Sequence, residues 1–205
     1  MRRGSTWLLC ALLLMAGWLW WHGRPIARAD GVLAANDPLQ TDFDTPQPPI
    51  TFKDATLRPL ANFSLIARVL SRDDYHFDAE SDLSPTDLAF GWGRMSDSAI
   101  LRGIDISQSG RFFYWQTKAF PIPRREIEAH SANMHMIPAD AAVAYQLKRV
   151  RVGDVVSLDG MLVEADKANG WRWRSSLTRD DTGDGACELV YVQSLTIQPR
   201  WRVNA

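Results

Sequence analysis

At 205 residues the chain has room for one domain and an appendage. Its 46% hydrophobic and 23% charged residues suit a globular protein, and a formal net charge of −1 removes any broad electrostatic pull toward nucleic acid or anionic lipid. Cys10 lies in an N-terminal apolar run, so Cys187 stands alone in the remainder, which excludes an internal disulfide there and a multi-cysteine zinc site.

The chain opens MRRGSTWLLCALLLMAGWLWWHGRP. Arg2 and Arg3 precede an uncharged, mostly apolar run from Thr6 to Trp21, the composition of an export leader. Residues 1–29 are therefore expected to be a signal anchor or a signal peptide. Ala27-Arg28-Ala29 supplies a small-x-small site for cleavage near Ala29. Trp18, Trp20 and Trp21 instead form an interfacial aromatic belt, and a helix from Gly4 to Gly23 would reach about 30 Å, enough to span a bilayer. The reading taken is an anchor in the inner membrane with the domain in the periplasm; release into the periplasm is the alternative. Residues 30–50 hold four prolines and no amphipathic period, so an extended linker is expected there, with a β-rich extracytoplasmic domain over 51–205.

Strands are expected at FSLIARVL (63–70), RFFYWQT (111–117), DVVSLDGMLVEA (154–165), GWRWRSSL (170–177) and CELVYVQSLTI (187–197), where β-branched and aromatic residues dominate or alternate. Three short helices are expected. SPTDLAF (84–90) has Ser84 at the cap and Pro85 at the first helical position. DSAILRG (97–103) starts on Asp97 and stops at Gly103. PADAAVAYQLKRV (138–150) carries Asp140 at its start, a Val143, Leu147, Val150 stripe, and Lys148 and Arg149 at its C-terminal end.

After that helix, RVGDVVSLDGMLV resembles the strand entry of OB-fold barrels, which carry a helix between their third and fourth strands. The fold class expected is mainly β, a small barrel with an OB-like one among the options, with a few short helices and an N-terminal transmembrane or signal helix. LSPTDLAFGWGRMSD and SANMHMIPA resemble a group of uncharacterised exported bacterial proteins; that resemblance implies a compartment and no chemistry.

HSANMHMIP (130–138) reads as a loop before Pro138. Two histidines five apart fit neither the helical nor the strand spacing of a metal pair, but a loop can bring His130 and His135 together, with Met134 or Met136 as thioether ligands for copper(I). The plainer reading is structural histidines and gap-filling methionines. No metal and no cofactor is assigned. Cys187 needs a base to act as a nucleophile, and His76, His130 and His135 are the choices. RDDTGDGACE (179–188) places Asp180, Thr182, Asp184 and Gly185 like a calcium loop, yet Tyr191 falls where the bidentate glutamate belongs, so a hairpin connection is expected. Trp171 and Trp173, with Arg172 and Arg174 alternating between them, suit either a core strand or a stacking platform for a ligand. Glu126 and Glu128, two apart, do not face each other on a helix. No catalytic residue is assigned.

The function expected is a tethered binding or scaffolding domain of an envelope assembly, with a protein partner, membrane contact through the leader and no nucleic acid. Two alternatives stay open. One is a metal- or thiol-dependent periplasmic enzyme using His130, His135 and Cys187. The other is a glycan or peptide binder using Trp171 and Trp173.

Overall fold

The computed structural model describes Met15 and residues 24–77, 80–178 and 187–199. The expected leader and the acidic 179–186 turn fall almost wholly outside them. Among the described residues no helix is long and apolar enough to cross a membrane. The architecture is mainly β, with three short helices.

Two short strands, β1 (Leu39–Thr41) and β2 (Ile50–Phe52), flank the long β3 (Ala55–Asp74). Then come β4 (Thr86–Gly91), a 3-10 turn (Gly93–Ser96), α1 (Ser98–Leu101), the hairpin β5 (Asp105–Ser109) and β6 (Phe112–Gln116), and α2 (Arg124–Ala129). The chain continues with β7 (Ser131–Pro138), α3 (Ala141–Arg149), β8 (Val155–Lys167), β9 (Arg172–Arg174) and β10 (Glu188–Ile197). All five expected strands are found, as are the helices capped by Asp97 and Asp140, whose carboxylates accept from the Ala99 and Val143 amides at 2.7 and 2.8 Å.

Two expectations fail. SPTDLAF is not a helix: Thr86 onward is β4, buried along its whole length. A strand covered on both faces shows no alternation, and Ser84, Pro85 and Asp87 imitate a helix start. HSANMHMIP is not a loop: it is the end of α2 followed by β7, and the same two-sided burial hides its period.

Five strands pair in a circuit. β3 pairs with β4, β4 with β7, β7 in parallel with β10, β10 with β8, and β8 back with β3. Register shifts at Val69/Ser71, Pro59/Ala61 and Val192/Ser194 make the circuit uneven. Alternate residues of all five strands meet in one core: Phe63, Leu65, Leu88, Phe90, Met134, Met136, Val156, Leu158, Val190 and Val192 among them. The α3 stripe of Val143, Leu147 and Val150 joins that core. Gly160 of β8 is needed where β10 pairs closely beside it, because a Cβ there would sit 2.2 Å from the Tyr191 carbonyl oxygen.

Residues 30–50, expected as an extended spacer, run along the domain rather than away from it. Upstream of them the Ile26 amide donates to Val152 O at 2.7 Å; within them Ala34 O accepts from Gly93 N at 2.8 Å, and β1 pairs with β3. Gly153 takes φ +89 beneath Ile26, whose carbonyl oxygen would lie 2.1 Å from any Cβ.

Candidate functional site

The strands that send Leu88, Phe90, Met134 and Met136 inward send Asp87, Asn133 and His135 to the opposite face. Asp87 and His135 are direct partners in the β4–β7 register. His135 Nδ1 lies 2.9 Å from Asp87 Oδ1, an ion-pair distance whose geometry falls short of a hydrogen bond. Arg111 reaches the same oxygen, its Nη1 at 3.0 Å, and also donates to Ser84 O at 3.0 Å. Asp87 has no exposed surface, and its second oxygen, like Ser84 Oγ, is buried without a hydrogen-bond partner among the described residues.

Arg111 arrives there from the tip of the hairpin. Gly110 (φ +58) and Arg111 (φ +72) are the two central residues of a tight turn closed by the Ser109–Phe112 pair. That turn matches strand twist but demands the left-handed region, which costs a residue with a Cβ about 1–2 kcal/mol. Contacts on every side hold Arg111 in place. Its guanidinium stacks 3.9 Å from the Tyr75 ring centroid, its amide donates to the Tyr75 hydroxyl at 3.0 Å, and its carbonyl accepts from Asn133 Nδ2 at 3.0 Å. Burial pushes the Tyr75 phenol well above its usual range, and nearby Asp73 and Asp87 add to the effect, outweighing the Arg111 amide's opposite pull.

Trp173 of β9 closes the arrangement. Its ring centroid is 4.5 Å from that of His135, and the Arg111 guanidinium lies 5.5 Å from it. Trp171 meets Trp173 edge-on at 6.1 Å and donates through Nε1 to Glu80 at 3.3 Å. Arg172 and Arg174 point the other way, and both pair with Glu164. These four residues, with Glu80, Arg111, His135 and Cys187, line a cleft of about 480 Å³. A second cleft of about 550 Å³ runs between β6 and the start of β7. Phe112 and Cys187 line both, so the two meet.

Of the residues singled out in the sequence, Trp171, Arg172, Trp173, Arg174, His135 and Cys187 come together. His130 does not join them. It caps the C-terminal end of α2, and the extended run of β7 carries His135 away from it by on the order of 15 Å. His130 Nδ1 lies 2.9 Å from Glu126 O and its Nε2 3.7 Å from Asp37. Met134 and Met136 are fully buried in the core. Among the described residues, no group of three or more His, Cys, Asp or Glu side chains is placed to hold a metal. Cys187 Sγ is contacted by Asn133 Nδ2 at 3.7 Å.

Sequence reasoning missed Asp87, Arg111, Tyr75, Asn133 and Glu80. One signal was there: Gly-Arg between two alternating runs marks a two-residue hairpin turn, and a non-glycine residue in its second position flags strain worth explaining. The fold and site together define a mainly β domain with a double cleft on one sheet face. Comparison with family models, curated proteins and solved structures returns no match.

Proposed function

We propose that this chain is a membrane-tethered binding module of the cell envelope, built on an OB-type barrel, that holds an elongated ligand in the double cleft. Strand order supports the barrel reading. An OB barrel has five strands with a helix between the third and fourth; here β3, β4, β7, β8 and β10 form the circuit and α3 lies between β7 and β8. The apolar leader and its tryptophans support a tether in the inner membrane with the domain in the periplasm, and a protein partner in the envelope fits a tethered module.

The observation that carries the binding reading is where the cleft lies. OB barrels bind on the face of their second and third strands, between the loops that follow the first and fourth. Asp87 and His135 lie on that face, Tyr75 and Glu80 in the loop after β3, and Trp171 and Trp173 in the connection after β8. Two indoles over a rigid buried ion pair form a stacking wall for a glycan or a peptide. The test is tryptophan fluorescence of the full-length chain in detergent, titrated with peptidoglycan fragments, other envelope glycans and peptides. Saturable quenching that Trp173→Ala abolishes is expected; flat emission across the panel refutes the reading.

A thiol enzyme is the second reading, favoured by one observation: Asp87 Oδ1 lies 2.9 Å from His135 Nδ1, and Cys187 lines the same cleft. Its measure is the rate of Cys187 alkylation by iodoacetamide at neutral pH in a Cys10→Ser background. A histidine-activated thiolate reacts at least tenfold faster than a free thiol, and His135→Asn removes the excess; an ordinary rate ends this reading.

A further inference from the structure

We propose that the unpaired edge of β6 is a docking site for an extended peptide strand, which would lie in the second cleft and pair with the backbone of Phe113 and Trp115. This rests on the reading of the chain as a binding module and names its partner class. The turn geometry determines which backbone groups are available. Ser109 and Phe112 close a two-residue hairpin, so they form a hydrogen-bonded pair, and such pairs recur at every second position: Ser107–Tyr114 and Asp105–Gln116. The amides and carbonyls of Phe113 and Trp115 therefore point away from β5. Among the described residues, no hydrogen bond reaches them. They repeat at about 6.8 Å, the two-residue step of a strand.

The space beside that edge has the shape of a strand's berth. Asn133 pins the Arg111 end of the hairpin to β7 through the Arg111 carbonyl. Beyond that pin the cleft of about 550 Å³ opens along β6, with Ser131, Asn133 and Cys187 among its floor residues. A strand added about 4.8 Å from β6 would become the third strand of the hairpin sheet, lying over the outer face of β7 and β10. The floor combines the small side chains of Ser131, Ala132, Asn133 and Cys187 with the buried carboxylate of Glu188, so the peptide's inward residues should be small and not acidic. At one rim Arg124 and Glu128 pair at 2.8 Å, so that rim answers neither an acidic nor a basic peptide. An exposed edge with free donors and acceptors is otherwise a liability, and β6 has neither proline nor lysine to blunt it.

The experiment selects peptides from a displayed library of random dodecapeptides on the full-length chain in detergent. Each selected peptide is then resynthesised with single N-methyl groups along its length. An added strand predicts alternation: methylation at every second residue weakens binding about tenfold or more, while methylation between leaves it unchanged. Hydrogen exchange supplies the protein side. The Phe113 and Trp115 amides should exchange freely in the unbound protein and slow at least tenfold on binding, while Tyr114 stays protected throughout. Failure to select any peptide, an N-methyl scan without period, or Phe113 and Trp115 amides already slow without ligand would each overturn the proposal. Quenching of the tryptophans by a glycan alone would leave the binding module standing and remove the peptide.

Discussion

Removing the carboxylate of Asp87 should be among the most damaging single changes in this domain. Asp87→Ala deletes the carboxylate that pairs with Arg111 and lies against His135, in a place where Asp87 has no exposed surface and the Arg111 side chain only 13%. Breaking a buried pair from one side costs about 3–5 kcal/mol, because the remaining charge stays buried. Part of that cost can be relieved by the hairpin swinging out, since Arg111 would then escape its left-handed conformation, worth about 1–2 kcal/mol. The net expectation is about 1–4 kcal/mol. Urea unfolding followed by circular dichroism measures it as a lower midpoint at an unchanged slope. Arg102→Ala, which breaks the exposed pair with Asp30, is the control and should shift nothing measurable. If Asp87→Ala falls below about 1 kcal/mol, the buried cluster does not hold the face together and the reasoning is wrong.

Gly160→Ala should be worse for the sheet than its size implies, because the new methyl would meet the Tyr191 carbonyl oxygen of the paired neighbouring strand; loss of about 3 kcal/mol or failure to fold is expected, read by the yield of folded protein and its urea midpoint. Asp140→Ala removes the side-chain acceptor at the start of α3 and should cost about 1 kcal/mol in the same assay. For Asp74, burial raises the pKa, but hydrogen bonds from Arg72 and Thr86 and the Arg72 charge outweigh it and hold the carboxyl below its ordinary 3.8. A depressed carboxylate contributes stability that is present above its unfolded value and lost as pH falls through its folded one. Asp74→Asn should therefore lower the urea midpoint at pH 7 and leave a shallower decline below about pH 4; an identical acid slope in both proteins would contradict this.

What could be read from the sequence follows from how many faces each strand buries. β3, β8 and β10 mix period two with long β-branched runs, and they stand where expected. The helix at Ala141–Arg149 was legible because its cap, stripe and terminal cations agree. β4 and β7 were not, because they lie between the core and the cleft. Leu88 and Phe90 face in while Asp87 faces the site, so polar and apolar demands interleave and imitate a capped helix in one case and a histidine loop in the other. The platform residues Trp171 and Trp173 stood out by type alone. Asp87 and Arg111 could not be linked in advance: they are brought together by the Tyr75 stack and the β4–β7 register, which are tertiary facts.

The parallel seam between β7 and β10 has a consequence for how the polypeptide matures. Until residues 188–197 arrive, β7 and β8 each keep an open flank, and the longest ladder, β3 with β8, already joins positions roughly a hundred apart. Such distant contacts make assembly slow, on the millisecond-to-second scale. A nascent chain stopped short of Glu188 would hold two open strand flanks and an unfinished circuit, so anything that shields those flanks would have to act before the last strand rather than after it.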